Sequence, residues 1–235
     1  MIKKELVVVK DPKAPISENF RAMRTNLQFM NSSEDNNQAI LITSTSPSEG
    51  KSWISANIAT TFAQAGKKTC LIDGDMRKGR VYALFNISPT PGVSNYLTGV
   101  NVNKDSMDIS KFLQETELPN LYVIPAGNIP PNPSELLISP KMKKMLNELK
   151  KIVDVIIIDG TPCDLVTDAT IISRMVDQTI IVCAHNTTKM EDLNETKKKI
   201  ENAGGKVTGI VLNKIPVYNK KYEERYYYGS TARRK

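Results

Sequence analysis

Six short runs of mostly β-branched residues, most of them apolar on both faces, constrain this chain more than any other feature. They fall at 39–43, 69–72, 121–124, 155–158, 179–183 and 207–212. A strand that buries both faces belongs to a parallel sheet covered by helices on each side. Segments of helical period lie between the runs, at 17–30, 51–65, 141–151, 167–175 and 190–203. Gly66 and Gly204 follow two of these segments, where a left-handed residue closes a helix. The alternation predicts an α/β fold, a doubly wound, mostly parallel sheet.

Three stretches stand outside that rhythm: residues 1–38, the proline-rich 125–135, and the tail after Ile215. The expected division is an N-terminal arm and helix over 1–38, a core over 39–215 and a flexible tail over 216–235. The start of the chain has no apolar segment of signal-peptide type, and the longest apolar run, at 155–158, is too short to span a bilayer. The expectation is a chain soluble by itself. The three cysteines, Cys70, Cys163 and Cys183, lack zinc-site spacing and read as buried apolar thiols of a reducing compartment. The net charge of +7 is modest; basic residues gather near the C-terminus.

The first core run leads through a polar turn into Gly50-Lys51-Ser52 and then a helix. That is the setting of a phosphate loop, in which backbone N–H groups and a helix N-terminus face an anion. The expected nucleotide contacts are Ser48, Glu49, Gly50, Lys51, Ser52 and Trp53. Lys51 would reach the β- and γ-phosphates, and the Ser52 hydroxyl would ligate Mg²⁺. Thr45 stands where the commonest pattern has glycine, and Gly-Lys-Ser alone also suits a chance turn. Two later runs end in acids, Asp73-Gly74-Asp75 and Asp159. At the C-terminal ends of parallel strands, Asp73, Asp75 and Asp159 would gather beside the loop. Each alone suits a turn or a helix cap; together they suit a Mg·ATP site.

These blocks carry a resemblance. Residues 46–52, 71–78 and 156–159 resemble the Walker A, A′ and B motifs of the bacterial tyrosine kinases (BY-kinases) of capsule and exopolysaccharide synthesis. The similarity extends through Pro130-Pro131-Asn132-Pro133-Ser134-Glu135-Leu136-Leu137, Val166-Thr167-Asp168-Ala169 and Gly209-Ile210-Val211-Leu212-Asn213-Lys214. Trp53, Gly79 and the order Asp159-Gly160-Thr161-Pro162 depart from the family's usual residues, and none removes a charged group.

The resemblance implies a P-loop NTPase fold of the MinD/ParA-like type and an ATP- and Mg²⁺-dependent protein-tyrosine autokinase. Lys51, Asp73, Asp75 and Asp159 would be catalytic, with Asp73 the candidate base. Ser52, Asp75 and Asp159 would serve the metal, and Asn213 the adenine. It further implies a membrane-anchored activator of the chain-length-determinant type, a cognate phosphatase, no nucleic-acid partner, and a cytoplasmic protein recruited to the inner face of the membrane.

Both ends of the chain fit that picture. Ser17 reads as the N-cap of a helix with Phe20, Met23, Leu27 and Met30 along one side. Glu18, Arg21 and Arg24 sweep around the other. They suit a solvated face, or the family's head-to-tail ring contact between like subunits, which the resemblance favours. Tyr218, Tyr222, Tyr226, Tyr227 and Tyr228 cluster among lysines and arginines in the tail. They read as aromatic anchors, as part of a basic segment for lipid or nucleic acid, or as the phospho-acceptors that the resemblance implies. His185 is given no role. The alternative is an ATPase switch of the MinD/ParA type, or a weakly catalytic ATP-binding scaffold.

Overall fold

The computed structural model describes residues 6–31, 37–100 and 108–216. Seven strands form one sheet: β1 (Gln38–Ser44), β2 (Thr69–Asp73), β3 (Gln114–Glu115), β4 (Leu121–Ile124), β5 (Val155–Pro162), β6 (Gln178–Ala184) and β7 (Val207–Asn213), in the order β3-β4-β2-β5-β1-β6-β7. All pairs are parallel except β3 with β4. The six expected runs are all strands. The two-residue β3, too short to carry a period, was not foreseen.

The nine α-helices among the described residues are α1 (Val7–Lys10), α2 (Pro15–Phe29), α3 (Lys51–Gln64), α4 (Val81–Phe85), α5 (Val93–Thr98), α6 (Pro133–Ile138), α7 (Pro140–Leu149), α8 (Asp168–Ser173) and α9 (Met190–Asn202). All five expected helices are present. The four unforeseen ones, α1, α4, α5 and α6, are six residues or fewer, below what a 3.6-residue period can reveal. The proline-rich stretch is a loop only as far as Asn132; Pro133 then occupies the first turn of α6, where its missing N–H costs nothing.

Two apolar layers sandwich the sheet. One contains Phe20, Leu27, Ile54, Ile58 and Phe62 from α2 and α3 with Ile40, Ile42 and Ile157. The other contains Met142, Leu146, Leu149, Ile172, Leu193 and Ile200 from α7, α8 and α9 with Leu41, Ile156 and Ile158. Alternate residues of β1 and β5 thus face opposite layers, as their doubly apolar pattern requires. The α3 helix ends in a Schellman closure: Gly66 has φ +80°, its N–H donates to the Ala63 carbonyl and the Lys67 N–H donates to Phe62. Gly204 closes α9 in the same way.

The N-terminal helix departs from expectation in two respects. Its cap is Ala14, with Pro15 opening the helix. Ser17 lies inside the first turn, wholly buried, and its hydroxyl donates to the Asp11 carbonyl at 2.7 Å. The cap residue precedes the helix, and Ser17, as its third residue, already has the helical backbone. On the apolar side Phe20 and Leu27 are buried and Met23 is partly buried, but Met30, past the last turn, is exposed.

Candidate functional site

The phosphate loop leaves the C-terminal end of β1, central in the sheet, and re-enters structure at Lys51, the first residue of α3. Gly50, the residue before the helix, has φ +99°. A Cβ there would stand 2.2 Å from Asn213 Nδ2, so only glycine fits, for conformation and for space. Glu49 is buried beneath the loop: its Oε2 accepts from the Ser46 N–H at 2.9 Å and its Oε1 from the Thr188 hydroxyl. Asn213, at the end of β7, donates to the Glu49 carbonyl at 2.8 Å. The loop is therefore shaped from below by residues of β6–α9 and β7.

Lys51 Nζ lies 3.9 Å from Asp75 Oδ2, 4.0 Å from Asp159 Oδ1 and 3.5 Å from Ser52 Oγ. Asp73 and Asp159 pair across β2 and β5, which places the acids side by side. Asp159 is almost wholly buried, 3.1 Å from the Ser55 hydroxyl, and Ser52 also hydrogen-bonds to it. Burial raises its pKa, against the lowering pull of Lys51 and the two serines. Asp73 is fully buried; its oxygens accept from the N–H groups of Asp75 at 3.2 Å and Val81 at 3.0 Å. Burial first, then the nearby Asp159 carboxylate, push its pKa up to about 7, against those two N–H donors. Asp75 accepts from the N–H groups of Arg77 and Lys78 and keeps its other oxygen toward Lys51.

This is a cation, a helix N-terminus and three acids at the C-terminal edge of a parallel sheet, where an α/β sheet binds ligands. The lysine and loop N–H groups suit an anion. The Ser52 hydroxyl with Asp75 and Asp159 close by suits a hard divalent cation that also takes phosphate oxygens. Among the described residues no three His, Cys, Asp or Glu are arranged to hold a metal ion without such help.

The remaining expected residues are distributed as follows. Ser48 is exposed on the loop with φ 62°. The Trp53 ring packs edge-on against Phe20 at 5.4 Å between α3 and α2. Glu18 and Arg21 pair with each other on the outer face of α2, and Arg21 also donates to the Pro12 carbonyl. Arg24 is half-buried, and its Nη1 donates to the Thr61 carbonyl of α3 at 3.0 Å. The tail tyrosines, Tyr218, Tyr222, Tyr226, Tyr227 and Tyr228, lie outside the described residues.

One network was not read as functional from the sequence. Arg77 Nε donates to Asp168 Oδ2 at 2.9 Å, and Ser134 Oγ donates to Asp168 Oδ1 at 2.6 Å. Arg77 follows β2, Ser134 opens α6 and Asp168 opens α8. Each lies in one of the motif blocks, but nothing in the sequence shows that the three blocks meet. Thr188 and Asp164 carried no signal at all, since their partners Glu49 and Ser46 are more than a hundred positions away.

Comparison with known proteins agrees with this geometry. The family described as an AAA domain matches residues 37–208. The tyrosine-protein kinase CpsD of Streptococcus agalactiae is 38% identical over 93% of this chain and 92% of its own. Among solved structures, the kinase domain of Escherichia coli tyrosine kinase ETK superposes with TM-score 0.84 at 30% identity, covering 91% of this chain and 81% of that one. The chimerical protein CapA2B2 superposes with TM-score 0.82 at 38% identity, covering 90% of each chain. These relatives favour the kinase reading over a positioning ATPase. A P-loop nucleotide-binding core, its lysine and strand-end acids in place, belongs here to the family of bacterial tyrosine-protein kinases.

Proposed function

We propose that this chain transfers the γ-phosphate of ATP to tyrosines of a second copy's tail, and thereby regulates capsule or exopolysaccharide synthesis. The observation that carries the proposal is the meeting of Lys51, Ser52, Asp75 and Asp159 at the mouth of the phosphate loop. In this reading the loop N–H groups and Lys51 hold the β- and γ-phosphates in line with an incoming hydroxyl. Ser52, with Asp75 and Asp159 beside it, would hold Mg²⁺, which when bound offsets charge on the phosphate oxygens.

The tyrosine oxygen attacks the γ-phosphorus, the bond to the β-phosphate oxygen breaks, and ADP leaves. The phenolic proton is assigned to Asp73. Its pKa, lifted to about 7 by burial and Asp159, suits a group that must accept a proton near neutrality. Each of its oxygens keeps a second lone pair beyond its backbone donor. Because Asp73 is fully buried, a tyrosine reaches it only when the segment from Asp75 to Val81 yields. Asn213 is assigned to the adenine, and Ser48, Glu49, Gly50 and Trp53 to the loop's backbone contacts.

For the chain as a whole, we assign residues 1–38 to assembly through Glu18, Arg21 and Arg24, 39–215 to the kinase core and 216–235 to the acceptor tail. The proposed partners are like subunits in a head-to-tail ring, a membrane-anchored activator that brings the kinase to the inner membrane face, and a phosphatase that reverses the modification. Among the described residues no helix is long and apolar enough to cross a membrane, which is compatible with a separate anchor.

The test is incubation with Mg·ATP, with and without an activator fragment, followed by mass spectrometry. Phosphotyrosine at positions 218–228 that is lost in Lys51→Met supports the proposal. ATP hydrolysis with an unmodified tail in the presence of the activator overturns it.

A further inference from the structure

A second pocket, of about 210 Å³, lies beside the start of the phosphate loop, walled by Thr45, Ser46 and Asp164 and by Asp192, Glu195, Thr196 and Lys199 of α9. It is separate from the cluster around Lys51, since α9 packs on the opposite face of the sheet from α3. Three of its side chains are carboxylates. Lys199 is held by Glu195 at 2.8 Å and so offsets one of them. Asp164 accepts from the Ser46 hydroxyl at 2.8 Å, which ties the pocket wall to the loop. Two negative charges remain, and the positive end of α9 offsets only about half of one.

An independent feature points to a ligand. Thr45, in the wall of this pocket, is 1% exposed, and its hydroxyl has no hydrogen-bond partner. A buried hydroxyl left unpaired destabilises the fold, and an incoming N–H donor would remove that cost. Two exposed apolar residues, Leu165 and Met190, directly follow Asp164 and closely precede Asp192 in sequence. The pocket thus offers net negative charge, an acceptor hydroxyl and nearby apolar surface. That suits an ammonium or guanidinium group carried next to an aromatic ring.

We infer that this pocket is a substrate-recognition subsite that takes a lysine or arginine flanking the acceptor tyrosine of another copy's tail. The inference rests on the kinase reading and adds to it the rule by which the tail is recognised. Residues 216–235 contain Lys220, Lys221, Arg225, Arg233, Arg234 and Lys235 against only Glu223 and Glu224. Basic and aromatic residues alternate closely there, as in Lys221-Tyr222 and Arg225-Tyr226. Seating the cation beside Ser46 holds the neighbouring tyrosine at the loop that presents the γ-phosphate.

The test uses the full chain and two readouts. Phosphorylation in trans is measured on a full-length Lys51→Met acceptor. The double variant Asp192→Asn/Glu195→Gln, isosteric and on the surface of α9, is expected to raise KM for the acceptor about tenfold. Its kcat and ATP affinity should be unchanged, and the wild-type enzyme's KM should climb with salt. Acceptors with Lys220, Lys221 and Arg225 changed to Gln should show the same loss with the wild-type enzyme and little further loss with the double variant. Binding of a fluorescent 216–235 peptide, with phenylalanine at all five tyrosine positions, gives a readout that needs no catalysis. Peptide binding that weakens in the double variant supports the subsite even if no phosphotyrosine forms. Unchanged KM and unchanged peptide binding overturn it. If only the acceptor variant Arg21→Ala abolishes the effect, the cation belongs to a neighbour's helix and the tail assignment is overturned.

Discussion

Arg77 and Asp168, far apart in sequence, form a two-point contact in which Nε donates to Oδ2 at 2.9 Å and Nη2 to Oδ1 at 3.3 Å. The carboxylate is fully buried and the guanidinium is partly open to solvent. The Asp168 hydrogen bond raises the Arg77 pKa. The bond fixes the turn after β2, on which Asp75 sits, to the start of α8. Replacing Arg77 by Ala leaves a buried carboxylate with Ser134 as its remaining side-chain donor. Charge-assisted bonds of this kind contribute about 2 kcal/mol. We expect Arg77→Ala to lower Tm by roughly 4–8 °C in a calorimetric scan, for a chain of this size. Arg77→Lys, which cannot reproduce the two-point geometry, should recover little of it.

Gly50→Ala meets two separate obstacles, the left-handed backbone and the Asn213 carboxamide 2.2 Å from the new Cβ. The conformational part costs roughly 1–2 kcal/mol by itself. The expected result is at least a tenfold loss of nucleotide affinity by titration calorimetry. In the nucleotide-free protein Gly50→Ala should also lower Tm, and adding Asn213→Ala should recover part of that loss, because it removes the collision and leaves the dihedral strain. Full restoration would show that the left-handed conformation at Gly50 is dispensable.

Asp73 gives the protein a pH dependence opposite in sign to that of a salt-bridged acid. Its folded pKa is raised to about 7 from an ordinary value of 3.8, with burial as the main cause. Between those values the unfolded state has lost the proton that the folded state keeps. This group's contribution is therefore complete below pH 3.8 and is lost as pH rises through 7. In nucleotide-free, chelator-treated protein, Asp73→Asn should flatten the fall in urea-unfolding free energy between pH 4 and 7. An unchanged slope would assign the dependence to other groups.

All three cysteines are buried and free, and burial raises each thiol pKa. A thiol that stays protonated and inaccessible is a poor nucleophile. At pH 8 the folded protein should react with a thiol-specific chromophore far more slowly than a free cysteine does. Three equivalents should appear once denaturant is added. Rapid labelling of even one thiol in the folded state would contradict the burial of that residue.

The sequence by itself determined the sheet and the loop. Doubly apolar β-branched runs can be stable only inside a covered parallel sheet, and acids that end such runs must lie at its binding edge. Short elements were not legible: α1, α4, α5 and α6 are held by packing, not by a repeating pattern. Neither were side-chain contacts between distant segments. Ser17 has the chemistry of a cap, but the helix begins at Pro15, two residues before it, and its hydroxyl donates to the Asp11 carbonyl instead. Arg24 reads as part of a solvated face or a subunit contact; its bond to the Thr61 carbonyl exists only because α3 packs against α2. Glu49 reads as a loop residue, yet it is buried and props the loop from below through Ser46 and Thr188. Periodicity records which face of an element is buried. Which polar group meets which depends on how the elements pack, and only the tertiary structure settles that.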